Sequence, residues 1–206
     1  MHEIKEYLDT GITPQLAESI AVLCCRCFLD SKRTVEERVK EMLEAIGSAA
    51  PEHVTGRRFV IWQGEQVIAH ARTFVREIIV EDQRLPVLAL AAVCSDPEIR
   101  GKGLGVRVTQ KAFQQVATDA WPEVSLFQTP VPGFYQKLNS RLVTNRFVNR
   151  RNVDDPEANP WRDDQIMIYP SECAWPEGTV DLNGCDYSLV RKMGLPSRGV
   201  AKKRVQ

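Results

Sequence analysis

The segment Asp96-Pro97-Glu98-Ile99-Arg100-Gly101-Lys102-Gly103-Leu104-Gly105 lies between an apolar strand-like run and a helical pattern. Helix N-termini leave several backbone N–H groups unpaired and carry partial positive charge, so an anion can bind there. Glycine removes the Cβ atoms that would hold a diphosphate away and permits the positive φ angles of a tight loop. Arg100 and Lys102 add charge where a phosphate would sit. The segment therefore reads as a phosphate cradle; the competing reading is a glycine turn that only packs helix on strand.

Two common phosphate loops are excluded. The P-loop needs a Gly-Lys pair followed by Ser or Thr, which is absent, and the dinucleotide pattern G-x-G-x-x-G fails because its sixth position, counted from Gly101, is Val106. What remains is Arg100-x-x-Gly103-x-Gly105. Upstream, Val87–Ser95 is nearly all apolar, as expected for a central strand covered on both faces. Before it, Arg58–Gln63 and Gln66–Val80 read as strands joined at Gly64-Glu65, and 81–84 as a polar turn.

Nearer the start, Thr13-Pro14 opens a helix on Leu16, Ile20, Leu23 and Cys27 that ends near Asp30. Thr34 and Glu37 form a capping box for a second helix, which carries Val35, Val39, Met42, Leu43 and Ile46 and stops at Gly47; residues 48–57 read as a polar loop. Downstream, the spacing predicts a helix from Leu104 to Asp119 closed by Trp121-Pro122, and a strand over Val124–Thr129. A short helix over Gly133–Asn139 and strands at Arg146–Arg150, Gln165–Tyr169 and Thr179–Leu182 follow. The order describes one mixed α/β domain with a C-terminal extension.

Composition narrows the partners. The 206 residues are 43% hydrophobic and 26% charged, with 27 cationic and 27 anionic side chains. That is ordinary for a globular protein, and it lacks the basic excess of a nucleic-acid binder. No stretch approaches the ~20 apolar residues of a membrane span, and the first residues do not form a signal peptide, so a cytoplasmic location is expected. Cys24, Cys25, Cys27, Cys94, Cys173 and Cys185 read as reduced thiols: Cys25-Arg26-Cys27 is too tight for a zinc knuckle, and no His stands at ligand spacing in sequence, so no metal is expected. After Asp186 the tail holds Arg191, Lys192, Arg198, Lys202, Lys203 and Arg204 without an acid, a solvated terminus or a clamp on an anionic partner.

Arg100-x-x-Gly103-x-Gly105, preceded by Ala91-Ala92-Val93-Cys94-Ser95-Asp96-Pro97, resembles the coenzyme A loop of the GNAT acetyltransferase superfamily, [QR]-x-x-G-x-[GA]. Phe134-Tyr135-Gln136-Lys137-Leu138 resembles that family's F-Y-x-K segment, and the element order over residues 10–150 is similar. The family usually has glycine or another small residue after that segment; this chain has Asn139-Ser140-Arg141. The resemblance implies an α/β (α+β) fold: a mixed, mostly antiparallel sheet with a splayed central parallel pair and helices on both faces. It implies a GNAT domain over 1–152, an extension over 153–190 packed on it, and a basic tail over 191–206. It also implies acetyl-CoA as acyl donor, its pyrophosphate held by Arg100, Gly101, Lys102, Gly103, Leu104 and Gly105, and its pantetheine arm paired with the backbone of Val93, Cys94 and Ser95.

By the same resemblance an amine attacks the thioester directly, through an oxyanion stabilised by backbone N–H. Tyr135 is the candidate acid for the leaving thiolate, against plain aromatic packing. Glu77 is the candidate base, against a solvated edge charge. His70 reads as a structural histidine rather than a base, and Cys94, lacking a partner base, as no nucleophile. The implied partner is a small-molecule amine, with neither nucleic acid nor membrane; exposed edge strands allow a homodimer. Residues 175–184 faintly resemble the tail of aminoglycoside 2′-N-acetyltransferases and nodulation N-acyltransferases, whose acceptors are amino sugars. Transfer of a longer acyl chain and a catalytically silent CoA-binding module are the alternatives.

Overall fold

The computed structural model describes residues 2–29, 31–44, 56–116, 122–163 and 165–183. Ile46, Gly47, Trp121, Cys185 and the basic tail lie outside the described residues. Strand β1 (Ile4–Leu8) leads into helices α1 (Pro14–Cys27) and α2 (Val35–Glu44), then strands β2 (Arg57–Gln63), β3 (Gln66–Val80) and β4 (Gln83–Ser95). Helix α3 (Leu104–Phe113), β5 (Ser125–Gln128), α4 (Pro132–Gln136), β6 (Arg141–Leu142), β7 (Arg146–Val148), β8 (Ile166–Tyr169) and β9 (Thr179–Asp181) complete the order.

The strands form a sheet in the order β1-β2-β3-β4-β5-β8-β6, with β9 pairing both β3 and β7. β4–β5 and β7–β9 are parallel and the other pairs antiparallel. Residues 153–183 thus supply two strands of the same sheet, β8 seated between β5 and β6.

Helices cover both faces. On one, Leu104, Val108, Ala112 and Phe113 of α3 pack on Phe59, Ile61, Ala71, Leu90 and Phe127. On the other, Leu16, Ile20, Leu23 and Cys24 of α1 and Met42 of α2 pack on Val60, Val67 and Cys94. Local signals explain the helix starts. The Thr13 hydroxyl accepts from Leu16 N–H at 3.2 Å, and Thr34 and Glu37 bond reciprocally at 2.9 and 3.2 Å.

β4 begins four residues earlier than the apolar run predicts. Glu81 and Asp82 alone form the turn, both with positive φ (45° and 70°), and the polar residues from Gln83 onward continue the hairpin. Pro86 fits this strand because its missing N–H falls on the edge where β5 has not yet begun; Leu88 makes the first such bond, to the Val124 carbonyl at 2.9 Å.

A buried ion cluster joins the N-terminal segment to the sheet. Arg58 Nε donates to Asp9 Oδ1 at 2.7 Å, and Arg72 Nε and Nη2 donate to Oδ2 at 2.9 and 2.6 Å. Gly56 is required beside it, since a Cβ there would lie 2.1 Å from Asp9 Oδ2. Burial opposes ionisation of Asp9, but Arg72 and Arg58 outweigh it and hold the carboxyl below its ordinary value of 3.8. Asp9→Ala leaves two arginines without their carboxylate, one of them buried, and should cost about 3–5 kcal/mol of stability, read as a lowered midpoint in urea. Because the folded carboxyl titrates below the unfolded one, this contribution is complete above pH ~4 and is lost as pH falls through the depressed value. The variant should lack that part of the acid-denaturation curve.

Candidate active site

β4 and β5 pair only at Leu88–Ser125 and Ala89–Leu126, and beyond these residues the ladder stops. The edge of β4 from Leu90 to Ser95 is therefore unclaimed by β5, and Ala91, Ala92 and Val93 are half-buried rather than sealed. A bulge marks the same place. His70 pairs Cys94 and Arg72 pairs Ala91, so Ala92 and Val93 together oppose Ala71, and Ala92 has φ 50°. The extra residue resets the alternation of side chains. Leu90 and Val93 both face the α3 cluster, whereas Cys94 faces α1.

The glycine segment continues from this open edge. Asp96 Oδ1 accepts from Glu98 N–H at 3.0 Å and Oδ2 from Arg26 Nη1 at 2.8 Å, so Asp96 anchors the loop to α1. Gly101 (φ 84°) and Gly103 (φ 73°) occupy the left-handed region, and Gly103 is the N-cap of α3. No atom comes within 4 Å of a Cβ built at either, so the loop is open there, and Arg100 and Lys102 are exposed. Leu104 is buried, pinning the first turn of the helix to the core. No side chain caps this terminus, so the first N–H groups of α3 are left without a partner within the helix.

Tyr135 lies across the gap. Its ring is 4.7 Å from that of Phe127 on β5 and packs edge-on to Phe134 at 4.8 Å, and Phe134 in turn approaches Gly105. Among the described residues its hydroxyl has no hydrogen-bond partner. Burial, and after it the neighbouring Cys94, push the phenol well above its ordinary value, so it keeps its proton. The turn after α4 needs no glycine: Asn139 adopts φ 64°, and Ser140 N–H bonds back to the Tyr135 carbonyl at 3.1 Å. Asn is the residue, after glycine, that takes this conformation most readily.

Glu77 is not brought to the gap. It stands opposite Pro86, towards the other end of β3, exposed, ion-paired with Arg84 and accepting from Asn183 Nδ2 at 3.3 Å. This geometry corrects the expectation that β3 carries it to the cleft: the bulge and the parting of β4 from β5 lie at the Ala69–Arg72 end of the strand. His70 is fully buried, and its Nδ1 lies 2.9 Å from the Ala92 carbonyl, which can only accept. Desolvation, and then Arg58, push it down to about 3, so the ring is neutral and supports the bulge rather than acting as a base on the cleft.

One grouping was not visible from spacing. Cys24 of α1, His70 of β3 and Cys94 of β4 place their ligand atoms within 4.8 Å of one another, all buried. Cys24, His70 and Cys94 are far apart in sequence and near only in space, so no spacing signals the group. Hydrogen bonding with Cys24 and Cys27, and then burial, raise the Cys94 thiol well above its ordinary value.

The family model of the Acetyltransferase (GNAT) domain matches residues 11–142. No curated protein matches the sequence. Among solved structures, the fold is similar to the GNAT family N-acetyltransferase YhbS from Escherichia coli in complex with CoA, with 17% identity and a TM-score of 0.56 over 88% of this chain and 89% of that one. It is similar to a GNAT family acetyltransferase from Brucella melitensis in complex with acetyl-CoA, with 14% identity and a TM-score of 0.55 over 89% and 98%. Against a probable N-acyltransferase from Enterococcus faecalis V583 the identity is 15% and the TM-score 0.53; 69% of this chain aligns, spanning only 33% of that one. Because the family match takes in both the bulged strand and the glycine loop and extends over more than half of the residues, the chain belongs to the GNAT acetyltransferase family.

Proposed function

We propose that the protein is an N-acyltransferase that moves an acetyl group from acetyl-CoA to an amine of a small molecule by direct attack. The observation that carries this is the continuity of three parts: the unpaired β4 edge, the loop with left-handed Gly101 and Gly103, and the N-terminus of α3. The pyrophosphate lies on the amides of Gly101 to Gly105, with Arg100 and Lys102 at its rim. The pantetheine arm pairs with Val93, Cys94 and Ser95 as a strand would, filling the place β5 leaves. The thioester then sits at the bulge, where backbone N–H groups can hold the oxyanion, and Tyr135 supplies the proton to the departing thiolate.

Thermal shift with acetyl-CoA, CoA and NAD side by side tests the binding half. A ligand at a hundred times its Kd stabilises by ~2.7 kcal/mol, which for a chain of this size is a rise of about 5–10 °C. The CoA species should give it and NAD should not; no shift with any CoA species would reduce the loop to a structural turn. Thiol release across a panel of amines, amino sugars first, tests the chemical half. One observation favours a second reading, a CoA-binding module without turnover: Glu77 lies away from the cleft, which leaves the proton of the incoming ammonium without an assigned acceptor. Calorimetric binding of CoA with no thiol release on any amine would decide for that reading.

A further inference from the structure

We propose that Cys24, Cys27, Cys94 and His70 Nε2 bind one zinc ion in a closed site that fastens α1 to the bulge of β4. A ring nitrogen of His70 and the sulfurs of Cys24 and Cys94 already lie within 4.8 Å of each other in the core. A tetrahedral site with Zn–S bonds near 2.3 Å requires sulfurs about 3.8 Å apart, so these three close on a metal with a small contraction, whereas Cys27 has to turn toward them. The fourth ligand is one helical turn along α1. Cys27 faces the same side of α1 as Cys24 and packs in the same cluster as Cys94. Its Sγ also reaches the Ser95 carbonyl at 3.3 Å, a neighbour it gives up on coordinating the metal.

His70 supplies the independent observation. Its ring is fully buried and Nδ1–H is committed to the Ala92 carbonyl at 2.9 Å, which places the lone pair on Nε2. That Nε2 has no hydrogen-bond partner. A buried, unpaired acceptor is costly, and a backbone carbonyl holding the opposite nitrogen is the usual way a ligating histidine is oriented. Three cysteine sulfurs and one imidazole form a donor set that favours zinc over hard, oxygen-seeking cations.

Binding releases three thiol protons to solvent and leaves Zn²⁺ with three thiolates and a neutral imidazole, a net charge of −1. Zinc here would set the path of β4 just before the glycine loop, a role independent of whether the enzyme turns over any amine.

The full chain, purified under reducing conditions, should contain about one zinc per molecule by elemental analysis. Exchange with cobalt(II) should produce a thiolate-to-cobalt charge-transfer band and intense tetrahedral d–d bands. Cys24→Ser and Cys94→Ser should lose the metal and these bands. Cys25→Ser should keep both, because that sulfur points to the Arg33 carbonyl instead. The wild-type cobalt spectrum stands even where a variant fails to fold. Reduced wild-type protein with neither bound zinc nor a thiolate–cobalt band would overturn the proposal. So would an intact mass two hydrogens light with Cys94 disulfide-bonded to a cysteine of α1.

Discussion

Gly103→Val should lower affinity for acetyl-CoA by about 100-fold or more, measured by calorimetry, while the chain remains folded. Gly103 is held at φ 73° as the N-cap of α3. An L-residue in this region costs ~1–2 kcal/mol, and a β-branched side chain more. The loop relieves that strain by turning its amides away from the position of the pyrophosphate, and the isopropyl group takes up space that the ligand needs. Loss of two or three charge-assisted hydrogen bonds then accounts for a change of ~3 kcal/mol. Folding survives because a Cβ at Gly103 meets no protein atom within 4 Å, and Leu104 and Val108 still anchor the helix. Gly103→Ala, with the strain but little of the bulk, should fall between wild type and valine. Unchanged affinity in the valine variant would remove the loop from the binding site.

Tyr135→Phe should reduce kcat by about 100-fold with little change in KM for acetyl-CoA, in line with the usual contribution of a general acid. The substitution keeps the ring contacts with Phe127 and Phe134, so stability should hold while the proton donor is gone. The phenol's pKa is raised by burial above its ordinary value of 10.0, so it stays protonated through neutral and mildly alkaline pH. Any alkaline decline of the wild-type rate below pH ~10 must therefore come from another group. Stopped-time assays of thiol release at several pH values check both points; a normal rate in the variant would make Tyr135 a packing residue only.

Much of the frame was legible because it rests on local chemistry. Thr13-Pro14 and the Thr34–Glu37 box start the helices where expected, and the apolar run to Ser95 is the central strand. β1 and the short β6 carry no strand signal of their own in the sequence. Ile4–Leu8 carries two charges in five residues and is a strand because β2 offers it an edge, and Arg141–Leu142 exists by pairing with β8. The start of β4 is hidden for a related reason: Gln83 and Arg84 are polar, but they continue a hairpin whose turn needs only two residues.

The sequence by itself determined the glycine loop, the helix it opens, and the tyrosine segment beyond. Each depends on residue types at fixed short spacing, where backbone sterics and capping decide the outcome. Tertiary structure alone decided where β3 sends Glu77, that Asn139 takes the left-handed position after α4, and that the Ala92 bulge turns Cys94 toward α1 and His70. Those depend on register and on a one-residue shift in alternation, which arise only when strands distant in sequence are paired and packed.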